Sequence, residues 1–147
     1  MEPRISIITL GVKDVDAARR FYVEGLGWKA ALEVEGEVVF IQAGHGLLLG
    51  LWSRERMVDD AGLPDLAGMP GSALHAPMTL SHNVESAAAV DAVIAEAVAA
   101  GGVLVRPAAE QSWGGYAGYF ADPDGFRWEI AWNPSLTVQE DGTVRFS

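Results

Sequence analysis

The first residues that alternate are 5–11, a β-branched run (ISIITLG) that predicts a strand. Asp14 then stands where it can cap a helix, and Val15, Ala18, Phe21 or Tyr22, and Leu26 fall on one face before Gly27 ends it. Short strands are expected near 29–34, 36–43 and 46–53, with Gly44-His45-Gly46 turning between the last two. A second series begins near Ala76. Ser86 caps an alanine-rich helix over 87–100 that carries Val90, Val93, Ile94 and Ala97 at helical spacing. Gly101-Gly102 stops it, and Val103-Leu104-Val105 opens a strand. Residues 116–121 and 126–132 read as a hairpin joined by Asp122-Pro123-Asp124-Gly125, where proline fixes one φ and glycine supplies a positive one. Residues 54–74, rich in Gly, Pro and Asp, show no period and read as a linker or flap, and 135–147 as a tail.

The two series repeat one another. Ile8-Thr9-Leu10 returns as Met78-Thr79-Leu80 after 70 positions, Val15-Asp16-Ala17 as Val90-Asp91-Ala92 after 75, and Gly46 as Gly125 after 79. The drifting offset marks small insertions between matched elements. Two copies of one strand–helix–three-strand module in a single 147-residue domain follow. With 50% apolar residues the chain can bury a core, and no run reaches the roughly 18 apolar residues of a membrane span. The opening MEPRISIITL lacks the layout of a secretory signal, so the expected compartment is the cytoplasm. Ten basic against 20 acidic side chains give a net charge of −10, which disfavours nucleic acid and anionic membranes as partners. With no cysteine, disulfides, thiolate nucleophiles and cysteine-based zinc sites are excluded. No phosphate loop, dinucleotide fingerprint or Gly-x-Ser-x-Gly elbow is present.

The run Gly11-Val12-Lys13-Asp14-Val15-Asp16-Ala17-Ala18-Arg19-Arg20-Phe21-Tyr22 with Gly25-Leu26-Gly27-Trp28, and the later Trp113-Gly114-Gly115-Tyr116 and Tyr119-Phe120-Ala121-Asp122-Pro123-Asp124-Gly125-Phe126-Arg127-Trp128-Glu129, resemble the vicinal oxygen chelate superfamily. That superfamily includes glyoxalase I, extradiol dioxygenases and bleomycin-resistance proteins. The resemblance implies an α+β fold of two tandem βαβββ modules, with a curled mixed sheet around a cup and helices outside. It also implies a homodimer and a divalent metal held by four positions, one on the first and one on the last strand of each module. These positions fall on Ile7, Gly50, Pro77 and Glu129, of which only Glu129 has a metal-binding side chain. A slipped alignment would instead offer His75, two residues before Pro77, together with Glu129.

Strand alternation turns this into a lining. With Glu129 facing the cup, Arg127 and Ala131 follow, and pairing across the hairpin adds Tyr116, Gly118 and Phe120. By the repeat, Val39, Ile41, Leu48, Gly50 and Trp52 line the opposite wall, with Ile7, Thr9, Thr79 and Ser81 as the floor, and Gly50 and Gly118 leave space. Glu129 is either a carboxylate poised for proton transfer or the ion-pair partner of Arg127. Trp113, before two glycines, is a hinged lid over a planar ligand or a loop anchor. His82 reads as a hydrogen-bonded structural residue, His45 as an exposed turn residue, and Trp128 and Trp132 as core. Three functions fit. The first is a metal-free protein that binds a small apolar or aromatic molecule. The second is a metal-dependent lyase, isomerase or dioxygenase acting on vicinal oxygens, with Glu129 as ligand or base. The third is a metal-free enzyme with Glu129 as base and Arg127 and Tyr116 stabilising negative charge.

Overall fold

The structure is a computed structural model and describes residues 5–60, 79–139, 141 and 144–146. The chain divides into two compact units, Met1–Leu74 and His75–Ser147, and each carries one copy of the predicted module. In the first, β1 (Ile7–Val12) is followed by α1 (Val15–Arg19) and by β2 (Ala30–Val34), β3 (Val38–Gly44) and β4 (Leu47–Ser53) in the sheet order β1-β4-β3-β2. Residues Arg54–Asp60, expected in the linker, form a further helix, α2. The second unit contains β5 (Thr79–Asn83), α3 (Ala87–Ala99), β6 (Val103–Glu110), β7 (Tyr116–Ala121) and β8 (Arg127–Trp132) in the equivalent order β5-β8-β7-β6. Each first strand pairs in parallel with its last strand, and the remaining pairs are antiparallel. The expected tail instead carries a short hairpin of β9 (Leu136–Val138) and β10 (Val144–Phe146).

Local chemistry accounts for the helices. Asp14 accepts the Ala17 N–H at 2.9 Å and so caps α1. From Arg20 to Gly25 the helix widens into a π turn, in which the Leu26 N–H reaches the Phe21 carbonyl at 2.9 Å. The widened turn brings two consecutive aromatic residues, Phe21 and Tyr22, into the core, where they meet edge to face at 4.9 Å. Ser86 caps α3 through the Ala89 N–H at 3.1 Å, and Val90, Ile94 and Ala97 form its buried stripe.

One face of each sheet is buried with its helix. In the first unit these residues are Leu10, Val12, Val39, Ile41, Leu49 and Leu51, and in the second Phe120, Trp128 and Ile130. Each such burial contributes about 1.5–3 kcal/mol. Phe120 and Trp128 lie nearly parallel, with ring centres 6.3 Å apart. The site residues therefore belong to the other face of each sheet.

The strand registers overturn two expectations about facing. Val39 and Ile41 pair with Leu51 and Leu49 and are buried against the helix, so Phe40, which pairs with Gly50, takes their place on the Gly50 face. The two-residue turn His45-Gly46 sets one parity, and a bulge between Gln42 and Gly44 reverses it. Tyr116, Gly118 and Phe120 likewise lie on the α3 side, paired with Trp132, Ile130 and Trp128. Asp122 and Phe126 close the β7–β8 hairpin, leaving a three-residue loop instead of the assumed four, and an odd loop length inverts the parity of the partner strand. The buried Asp122 carboxylate shapes that loop by accepting the N–H groups of Asp124 and Phe126 at 3.0 and 2.9 Å.

Candidate functional site

Glu129 lies at the middle of β8, between Ser81 on β5 and Tyr119 on β7. Opposed residues share a sheet face, so the three side chains converge. Tyr119 donates its hydroxyl to Glu129 Oε1 at 2.6 Å, and Ser81 donates to Oε2 at 2.9 Å. Each carboxylate oxygen thus accepts one O–H bond, and an ionised carboxylate has acceptor capacity for about two more. The group is half-buried. Held in this way, it can accept a hydrogen bond or a proton from a ligand laid on the sheet. The hydrogen bond to Glu129, then burial and the charge of the carboxylate, raise Tyr119 above the usual phenol range, and the charge of Arg106 acts in the opposite sense.

Arg127 and Thr79, paired with each other, also lie on this face, while among the described residues no ion pair joins Arg127 to Glu129. Tyr116 is directed elsewhere. Its hydroxyl donates to Asp91 of α3 at 3.1 Å, and burial, followed by that bond and the charges of Asp91 and Glu110, raises its pKa. It therefore stands on the opposite face from Glu129, as does Phe120. Gly118 leaves no ligand space either, because a Cβ there would meet the Ala108 N and Ile94 Cδ1 at 2.7 Å each. Trp113 is 49% exposed, and its ring lies over Gly115, where a Cβ would overlap it. His45 is exposed. His82 is exposed too, and makes no side-chain hydrogen bond among the described residues. His75 and Pro77 lie outside the described residues.

The equivalent face of the first unit is apolar. It carries Ile7, Thr9, Leu48, Gly50 and Trp52 with Phe40, and a Cβ at Gly50 would come within 3.1 Å of Thr9 Oγ1 and 3.2 Å of Phe40 Cε1. Sequence reasoning missed Tyr119 and Phe40. Both follow once the loop length and the bulge are known, since each is the cross-strand partner of a residue already singled out.

The strand registers also bear on the metal of the resembled family. Ile7 pairs two residues before Gly50, and Thr79 pairs with Arg127, two residues before Glu129. By register Thr79 is the counterpart of Ile7, so the positions within the described residues are Ile7, Gly50, Thr79 and Glu129, while Pro77 lies outside them. A single carboxylate with one threonine hydroxyl is a poor donor set for a divalent cation. Among the described residues no group of three or more His, Asp or Glu could hold an ion. These positions do not supply the donor set of the family metal among the described residues. Among them, too, no helix is long and apolar enough to cross a membrane.

The comparisons agree with this architecture. A glyoxalase-related enzyme from Fulvimarina pelagi is 40% identical over 99% of both chains, with a TM-score of 0.85. A glyoxalase/bleomycin resistance protein/dioxygenase from Nocardioides is 25% identical, covers 90% of this chain and 84% of its own, and superposes with a TM-score of 0.71. Lactoylglutathione lyase from Agrobacterium tumefaciens shares the fold at 24% identity over 89% of this chain and 94% of its own, with a TM-score of 0.62. No protein of curated function matches the chain. The sequence profile that matches does so over residues 4–130, nearly the whole of both modules, and the chain belongs to the Glyoxalase/Bleomycin resistance protein/Dioxygenase superfamily.

Proposed function

We propose that the protein binds a small organic molecule on the Glu129 face of its second module, with the Glu129 carboxylate as the polar anchor and without the divalent metal of the family. The carrying observation is that Ser81 and Tyr119 hold both carboxylate oxygens while leaving acceptor capacity for a ligand N–H or O–H. Tyr119 and Ser81 orient the carboxylate, so a donor on the ligand meets a preset acceptor. A catalytic version of the same site has one observation in its favour: the relative at 40% identity is named a glyoxalase-related enzyme. In that version Glu129 removes a proton from the bound molecule, and Tyr119 and Ser81 keep the carboxylate aimed.

The test is a fragment screen by thermal shift on the wild type and Glu129→Gln. A fragment at 100 times its Kd stabilises by about 2.7 kcal/mol, a rise of roughly 5–10 °C for a chain of this size. At least one fragment is expected to stabilise the wild type and leave Glu129→Gln unmoved. Hits that shift both proteins equally, or no hits from a broad planar set, would contradict the proposal.

A further inference from the structure

The registers of the second sheet place two arginines around the Tyr119–Glu129 pair. Arg127 precedes Glu129 by two residues on β8 and so shares its face, and Arg106 on β6 is the cross-strand partner of Tyr119. Register shifts on both sides of Arg106 bend β6 at this point. Two strand spacings and one two-residue step put the arginine Cα atoms ~12 Å apart, a span that two extended arginine side chains can close onto one small group. Between them on β7 stand Ala121, partner of Arg127, and Tyr119, partner of Arg106. The charge of Arg106 is felt at the Tyr119 hydroxyl.

Among the described residues neither arginine has an ion-pair partner, since the three ion pairs, Arg19–Glu24, Arg19–Glu33 and Arg56–Glu37, all belong to the first unit. Acidic side chains outnumber basic ones by 20 to 10 in this chain, so two arginines on one sheet face with no ion pair among the described residues run against the overall charge. That face carries Arg106, Arg127 and Glu129, a local excess of one positive charge.

We propose that the ligand of this face is a small organic acid, whose carboxylate is gripped by Arg106 and Arg127 while a neighbouring donor or acidic C–H is presented to Glu129. This rests on the reading of the Glu129 face as the ligand site. A guanidinium offers two parallel N–H donors at the spacing of carboxylate oxygens. The single excess positive charge matches a monoanion, and a doubly charged phosphate would leave the carboxylate of Glu129 repelled.

The test is calorimetric or NMR titration with phenylacetate and with 2-oxo-3-phenylpropanoate, each beside its primary amide, on the wild type, Arg106→Gln, Arg127→Gln and Glu129→Gln. The acids are expected to bind the wild type more tightly than the amides and to weaken as sodium chloride is raised. Each arginine variant should lose about tenfold in affinity for the acids and almost none for the amides. If the amides bind as tightly as the acids and Glu129→Gln abolishes both, the acid assignment is overturned and the Glu129 site stands. If neither acids nor amides bind while a neutral fragment still stabilises the wild type and not Glu129→Gln, the acid assignment is overturned and the Glu129 site stands. Displacement of the acids by inorganic phosphate at lower concentration would overturn the choice of a carboxylate.

Discussion

Replacing Tyr119 by Phe removes one hydroxyl and leaves the ring, so it isolates the 2.6 Å bond to Glu129 Oε1. A hydrogen bond to a charged acceptor contributes about 1.5–3 kcal/mol, and because this pair is half-buried, water recovers part of it. The expected loss is about 1 kcal/mol at pH 7, or roughly 2–4 °C in Tm. The sign of its pH dependence follows from the raised pKa of Tyr119. The folded protein holds the phenolic proton more tightly than the unfolded chain. The stabilisation is therefore complete below the unfolded value of about 10 and is lost as pH rises from there through the folded value. Tyr116 is also raised, but it is present in both proteins and cancels in the difference. Urea denaturation of both proteins at pH 7 and pH 11, with phenolate absorbance followed over the same range, measures this directly. The gap between wild type and variant should narrow at pH 11, and the transition missing from the variant should lie above pH 10. An equal gap at both pH values, or a missing transition at or below pH 10, would refute the role given to Tyr119.

Gly118→Ala forces a Cβ to within 2.7–2.8 Å of Ala108 backbone atoms, which cannot swing aside, and should cost about 1–3 kcal/mol by urea midpoint. Gly44→Ala, with nothing within 4 Å of its Cβ, is the control and should stay within about 0.5 kcal/mol. Glu129→Gln turns one acceptor into an amide N–H that faces the Ser81 or Tyr119 hydroxyl, so less than about 1 kcal/mol of stability should be lost and the far-ultraviolet spectrum should not change.

The strands and helices were legible because their signals are local: the period of two along β1, the Asp14 and Ser86 caps, and the stripe of Val90, Ile94 and Ala97. The repeat was legible for the same reason, and the two sheets share one strand order. Facing was not, because it depends on counting residues through turns. One extra residue at the bulge after Gln42 and one fewer in the loop after Asp122 each inverted a strand, and this exchanged Ile41 for Phe40 and Tyr116 for Tyr119. Glu129 was unaffected, since its place on β8 followed from the family motif without counting through a turn. Arg106 left no sequence signal: its position opposite Tyr119 is set by register shifts in an edge strand that no local pattern announces. Burial of both Phe21 and Tyr22 is a similar case, since a straight α-helix would have turned one of them aside.

In the proposed site the Glu129 carboxylate is held by two hydroxyls and not by a metal. Metal analysis of the protein purified without tag or chelator, followed by titration with nickel, manganese, iron and zinc under thermal shift, tests it most directly. The expected result is no stoichiometric ion and no stabilisation by any of the four. One equivalent of bound metal that disappears in Glu129→Ala would contradict the claim and would make His75 the next residue to replace.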